Sequence, residues 1–214
     1  MPTEQQKKEI SLLDYSDLYR QQLATAIVES GKLGFVRPPI ISPEERISDD
    51  VLRAASQLTG ELSGHLSQVI RGYWGNSCQT LSTNFFAHLN LVGIPANIVL
   101  GNVIVNGTDE FETTLEGLQE EVRATEPLTG VQNVHAWICL GDDTIVDAAL
   151  PPRLAKLYNA PPSFDDMIFI GRAAEMVGRY KVQYIPLLVG TEFFAKTNPP
   201  DPMDLLNQLK GLGR

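Results

Sequence analysis

The chain has 214 residues, 43% hydrophobic and 20% charged, with a net charge of −9. That length buries one sizeable core, and the acidic balance argues against the basic patch that a nucleic-acid or anionic-membrane surface needs. The start, MPTEQQKKEISLLDY, has no apolar signal region, no apolar run approaches the ~18 residues of a membrane span, and two cysteines do not make a secreted disulfide framework.

A cytoplasmic, soluble protein is therefore the expectation, and the glycosylation sequon at Asn106 is read as chance. Residues 11 to 32 read as a helix, with Leu12, Leu13, Tyr15, Leu18, Leu23 and Ile27 at near-helical spacing. GFVRPPIISPEER is a proline-rich connector. Ser48, followed by Asp49 and Asp50, looks like the cap and acidic first turn of a second helix reaching about Tyr73. A third helix starts near Asn76 and ends before Gly93 and Pro95. ANIVLGNVIV is β-branched and reads as a strand.

Residues 106 to 132 form a polar insertion in which Asp109, Glu110, Glu112, Glu116, Glu120, Glu121 and Glu126 face a single base, Arg123. It reads as a solvated surface segment, helical in part. NVHAWICL, TIVDAAL, DMIFIG and YKVQYIPLLVG follow as short strands. DPMDLLNQLKGLG, with Pro202 near its start, closes the chain as a helix. Helices followed by strands make the expected class α+β, with helices packed on an antiparallel β-sheet. The chain divides into a helical region, 1–73, packed on a core of 74–214 with a C-terminal extension, together one compact domain.

Asn76 or Ser77 can cap the third helix, which puts Cys78 in its first turn. The leading N–H groups there have no partner inside the helix, and the macrodipole adds partial positive charge. Both favour thiolate over thiol. Cys78 also shares a stripe with Leu81, Ser82, Phe85, Leu89 and Val92, so its sulfur faces whatever the helix packs on; a small buried hydrophobe is the competing reading. A nucleophilic thiol needs a base. His88 lies on the same helix, about 15 Å further along the axis, and His65 sits in ELSGHLSQVI as a surface or packing residue. His135 remains. In NVHAWICL, alternation puts His135, Trp137 and Cys139 on one face, and Val134, Ala136, Ile138 and Leu140 on the other. A three-residue turn, Gly141 to Asp143, would pair Leu140 with Thr144 and Trp137 with Asp147, placing Asp147 on the His135 face, diagonally offset. A two-residue turn would flip it away. A carboxylate amid Ile145, Val146, Ala148 and Ala149 is costly unless paired. Cys78, His135 and Asp147 thus form the candidate catalytic set. The Cys78 N–H and a second donor would hold an oxyanion, with Trp74 and Asn76 as the nearby choices.

These residues resemble the core of the transglutaminase-like superfamily, relatives of papain-like cysteine enzymes. The likeness rests on Cys78 opening a helix that runs through FFAHL to GIPA, on a following strand ending in Gly101, on HAW at His135 to Trp137, and on VDAAL with Asp147. It covers about residues 74 to 151. It implies a Cys-bearing helix on a sheet bearing His and Asp, and chemistry on an amide or ester carbonyl through a thioester, resolved by water or by an amine. Ser77 and Gln79 stand where that family often has Gly and Arg. The acidic insertion would act as a lid or recognition segment favouring a cationic peptide or protein substrate. No calcium site and no other cofactor is carried over. The competing classes are a non-catalytic peptide- or protein-binding domain of the same fold, a zinc site built from Cys78, Cys139, His135 and Asp147, and a Cys78–Cys139 disulfide. The last two are disfavoured by the lack of a close ligand pair and by the ~13 Å between His135 and Cys139 along a strand.

Overall fold

The computed structural model describes residues 4–125, 132–197 and 200–212, with side chains from Tyr15 onward. Two helices open the chain, α1 (Glu4–Lys32) and α2 (Asp49–Val69). Helix α1 begins earlier than the sequence reading placed it, and Leu12 and Leu13 fall outside the described side chains. Its buried face is Tyr15, Tyr19, Leu23 and Ala26, whereas Leu18 is 46% exposed. Ser48 caps α2 by accepting the Val51 N–H. That helix stops at Val69 rather than near Tyr73, and a 3-10 turn, Trp74–Asn76, leads into α3 (Cys78–Leu91).

The remaining elements are β1 (Asn97–Val105), β2 (Thr108–Asp109), α4 (Leu115–Arg123), β3 (His135–Cys139), β4 (Thr144–Asp147), α5 (Leu150–Tyr158), β5 (Phe169–Arg172), α6 (Ala173–Glu175) running into a π turn at Met176–Tyr180, β6 (Val182–Val189), α7 (Glu192–Thr197) and α8 (Pro202–Leu212). The fold is α+β with an antiparallel sheet. Strand β1 is central, with β6 along one edge and β3 along the other; β2 continues beside β1 past the end of β3, and β4 and β5 follow beyond β3. Among the described residues no helix is long and apolar enough to cross a membrane.

The sheet separates two apolar layers. Ala136, Ile138 and Leu140 point into one, with α2, α3 and α8; Trp137 and Cys139 point into the other, with α1 and α5. This is the alternation read from NVHAWICL. TIVDAAL is not all strand: β4 ends at Asp147, and Leu150, Pro151 and Pro152 open α5, where a missing N–H is harmless. Leu81, Phe85, Phe86 and Leu89 of α3 are each at most 1% exposed. Burying each contributes about 1.5–3 kcal/mol, so the body of α3 fixes where its first residue sits.

Candidate active site

Helix α3 lies along β3, and the two spacings match. Four residues of helix rise about 6 Å, and two residues of strand span about 6.6 Å. Accordingly the Ser82 hydroxyl donates to the Ala136 carbonyl at 3.1 Å, and one turn earlier the Cys78 thiol reaches the Val134 carbonyl at 3.8 Å. Cys78 is the first residue of α3, and no side chain caps that end. Its sulfur therefore sits beside the residue preceding His135, half-buried and facing β3.

Ile138 pairs with Val146 across the β3–β4 hairpin, the register of a three-residue turn. Thr144 closes that turn, its N–H and hydroxyl both donating to the Gly141 carbonyl while its hydroxyl oxygen accepts the Leu140 N–H. The register puts Asp147 on the His135 side, and the His135 Nε2 stands 2.6 Å from the Asp147 Oδ2 with both side chains 1% exposed. Asp147 is fully used. Its Oδ2 also accepts the Tyr184 hydroxyl at 2.9 Å, and its Oδ1 accepts the Ala149 and Leu150 N–H groups at 2.8 and 3.1 Å, at the start of α5. The other ring nitrogen, Nδ1, is buried with no hydrogen-bond partner among the described residues.

Burial opposes a charge on the His135 ring. The Asp147 carboxylate and its hydrogen bond outweigh that, the Cys78 side chain adds in the same direction, and the ring is pushed up to about 10. Burial likewise raises Asp147, but the ring and the two backbone N–H groups bring it below its ordinary value. Burial and then the Asp147 charge hold Tyr184 well above its ordinary value, so its hydroxyl keeps its proton and donates. The ring is gripped between Phe111 (centroids 4.8 Å apart) and Trp137 (6.0 Å), and the Trp137 indole N–H donates to the Tyr19 hydroxyl at 3.1 Å.

Gly101 lies directly opposite His135 in the β1–β3 register. The strand does not end there, as the family resemblance implied; β1 bulges at Leu100/Gly101 and runs on to Val105, the extent read from ANIVLGNVIV. A Cβ at Gly101 would come within 2.0 Å of the Ile185 carbonyl oxygen and 2.9 Å of the Trp137 ring. Glycine is what lets β6 and Trp137 close over this end of the site.

A cleft of about 570 Å³ opens over Cys78, lined by Gly75, Asn76, Asp109, Glu110, Phe111, Glu112, Gln132, Asn133, Val134 and Arg153. The first part of the acidic insertion is thus a wall of the cleft. Arg153 and Tyr158 of α5 clamp Glu110, and the Arg153 guanidinium lies 4.7 Å over the Phe111 ring. Asp109 is spent on Asn102 and on the N–H groups of Phe111 and Glu112. Glu126, the last acid of the insertion, lies outside the described residues.

Both cysteines are free. Cys139 is buried at the far end of β3, its thiol against the Gly141 carbonyl and Thr144 hydroxyl, and burial pushes it up to about 11. His88 bonds the Asn84 carbonyl within its own helix, and His65 is exposed on α2. Among the described residues no group of three His, Cys, Asp or Glu side chains is placed to hold a metal ion. Tyr184, Phe111 and Arg153 are the members of the site that sequence reasoning missed. Tyr184 has a period-two signal within YKVQYIPLLVG, whereas Phe111 shows only as a lone aromatic among acids. Comparison with protein-family models, with curated proteins and with solved structures gave no match.

Proposed function

We propose that this chain is a cysteine-dependent acyl-transfer enzyme of transglutaminase-like, papain-like design, acting on an amide or ester carbonyl through a thioester. The observation that carries the reading is the His135 ring: one nitrogen is tied to Asp147 at 2.6 Å, the other is buried with no hydrogen-bond partner of ordinary geometry among the described residues, and the Cys78 side chain at a helix start helps to hold the ring's proton. A buried imidazole with that much invested in its orientation needs a partner for its second nitrogen, and a thiol is the group beside it.

The steps follow from this geometry. The Cys78 proton passes to His135 Nδ1, and Asp147 stabilises the resulting imidazolium. The sulfur attacks the carbonyl carbon; a C–S bond forms, and the carbonyl π pair moves to oxygen, which the Cys78 N–H meets. Collapse expels the amine or alcohol, which takes the proton from the imidazolium. Water then attacks the thioester, gives its proton to the ring, and the acid leaves as the thiol regains that proton. Glu112 and Asn133, which line the cleft, are exposed, which supports water as the acceptor, with an amine as the alternative. A peptide or protein substrate with a cationic side chain fits the exposed Glu112 carboxylate on the cleft wall.

The test is acylation by 4-nitrophenyl acetate. A burst of 4-nitrophenolate, with an acetyl group mapped to Cys78 by mass spectrometry and then lost to water, supports the reading, provided Cys78→Ala abolishes it. Acetyl only on lysines, with the Cys78→Ala variant releasing nitrophenolate as fast, overturns it in favour of a non-catalytic binding domain.

A further inference from the structure

A tetrahedral intermediate on Cys78 needs two donors for its oxygen, and one is fixed by position. As the first residue of α3, Cys78 has an N–H with no intrahelical acceptor, and no capping side chain takes it. We propose that the second donor is the Asn76 carboxamide, an assignment that rests on the acyl-transfer reading above and completes its oxyanion site.

Elimination and orientation both point there. The Trp74 indole N–H, the other nearby choice, is spent on the Ile70 carbonyl at 3.0 Å. The Gln132 carboxamide already donates to Glu121 at 2.8 Å, which turns its nitrogen toward that carboxylate. Asn76 lines the cleft beside Cys78, and its Oδ1 accepts from the Arg153 guanidinium at 3.4 Å. With Oδ1 turned to Arg153, the two Nδ2 hydrogens of this exposed amide are its remaining capacity, and no protein partner takes them among the described residues. Arg153 is itself held by Glu110 and by its seat over Phe111, so the amide is aimed by a fixed group.

Asn133 also lines the cleft, on the segment leading into β3, next to Val134 and His135. A tetrahedral carbon on the sulfur must turn its leaving group toward the imidazole, which delivers the proton. The oxygen then turns toward the helix start. Asn76 sits in the turn that leads into that helix start, two residues before Cys78, whereas Asn133 precedes β3. Gly75 sits under the Tyr73 ring: a Cβ there would fall 2.2 Å from it and push that ring aside.

The experiment separates the donor from the nucleophile. Acylation by 4-nitrophenyl acetate passes through an oxyanion; alkylation by iodoacetamide is a displacement at carbon and does not. Both rates at Cys78 are measured for the wild type and for Asn76→Ala, Asn76→Asp and Asn133→Ala. An enclosed donor is worth ~10²–10³ in rate; this cleft is open to water, so Asn76→Ala is expected to lose about 10- to 100-fold in acylation while alkylation changes less than about 2-fold. Asn76→Asp loses at least as much, because a carboxylate repels the oxyanion; an acylation loss larger in Asn133→Ala than in Asn76→Ala would overturn the assignment. The assignment is overturned if Asn76→Ala leaves acylation intact, or if both rates fall together, which would mean that Asn76 only positions Cys78. If the wild type itself is not acylated at Cys78, the acyl-transfer reading fails first, and visibly so, before any variant is compared.

Discussion

Replacing Asp147 perturbs the relay at its most buried point, and the structure sets two different outcomes for two substitutions. Asp147→Ala removes the acceptor of four hydrogen bonds at once, from the His135 ring, the Tyr184 hydroxyl and the Ala149 and Leu150 N–H groups. Breaking a buried ion pair from one side costs about 3–5 kcal/mol, and each buried donor left unmade adds about 1–3 kcal/mol. The ring can shed its proton and the hydroxyl can rotate, so the low ends apply, and a loss of about 4–6 kcal/mol is expected. That is a large share of the ~5–15 kcal/mol by which domains are stable. Asp147→Asn keeps an oxygen for the two N–H groups, and its amide turns toward the ring. Nε2 must then accept, the ring proton moves to Nδ1, and Nδ1 can no longer take a proton from sulfur. That variant should lose only about 1–3 kcal/mol but most of the Cys78 reactivity. Guanidinium unfolding, followed by the fluorescence of the fully buried Trp137, and the iodoacetamide rate read the two effects separately. An Ala variant within about 1 kcal/mol of wild type, or an Asn variant alkylated as fast as wild type, would refute the reasoning. The pH dependence has a definite sign. The ring's share of stability is whole below its unfolded value of 6.5 and is lost as pH rises through about 10. The carboxylate's share is present above its ordinary 3.8 and is lost as pH falls below it. The stability gap between wild type and Asp147→Ala should therefore be widest between those two unfolded values, and close toward alkaline and strongly acid pH.

Tyr184→Phe keeps the ring packed against Trp137 but removes a donor to a charged acceptor, so denaturant unfolding should show a loss of about 1.5–3 kcal/mol. Gly101→Ala drives a Cβ into the Ile185 carbonyl, which is backbone and cannot swing aside; a loss of about 1–3 kcal/mol or more in the same assay, with slower alkylation of Cys78, is expected. The Glu112 carboxylate is exposed on the cleft wall and unpaired among the described residues, so a cationic methanethiosulfonate should modify Cys78 several-fold faster than an anionic one at low salt. The ratio should shrink in high salt and in Glu112→Gln.

The hairpin that carries the site was legible because β3 obeys a strict period of two and Gly141-Asp142-Asp143 has the chemistry of a turn. Those two facts place Asp147 on the His135 face once the turn has three residues, which the Ile138–Val146 pairing supplies. The start of α3 was legible from its position after a Gly-Asn-Ser run and before Gly93. What escaped was set by tertiary contacts. The proline pair after Leu150 looks like the end of a strand, yet Asp147 draws the next two N–H groups onto its carboxylate and starts α5 there. In α1 the true face runs through Tyr19, not Leu18, because Tyr19 meets the Trp137 indole across the sheet; spacing alone accommodates either. Phe111 sits in a stretch whose acidity reads as solvated surface, and its packing on the imidazole depends on Arg153 and Tyr158, over forty residues later, clamping Glu110.

Alkylation of the wild-type protein with stoichiometric iodoacetamide at about pH 6, where ordinary thiols are almost wholly protonated, bears most directly on the Cys78–His135–Asp147 chain. The adduct should map to Cys78 within minutes and leave Cys139 untouched, and His135→Gln should slow it by an order of magnitude or more. Both cysteines reacting equally slowly, or a Cys78 rate indifferent to the loss of His135, would contradict the account.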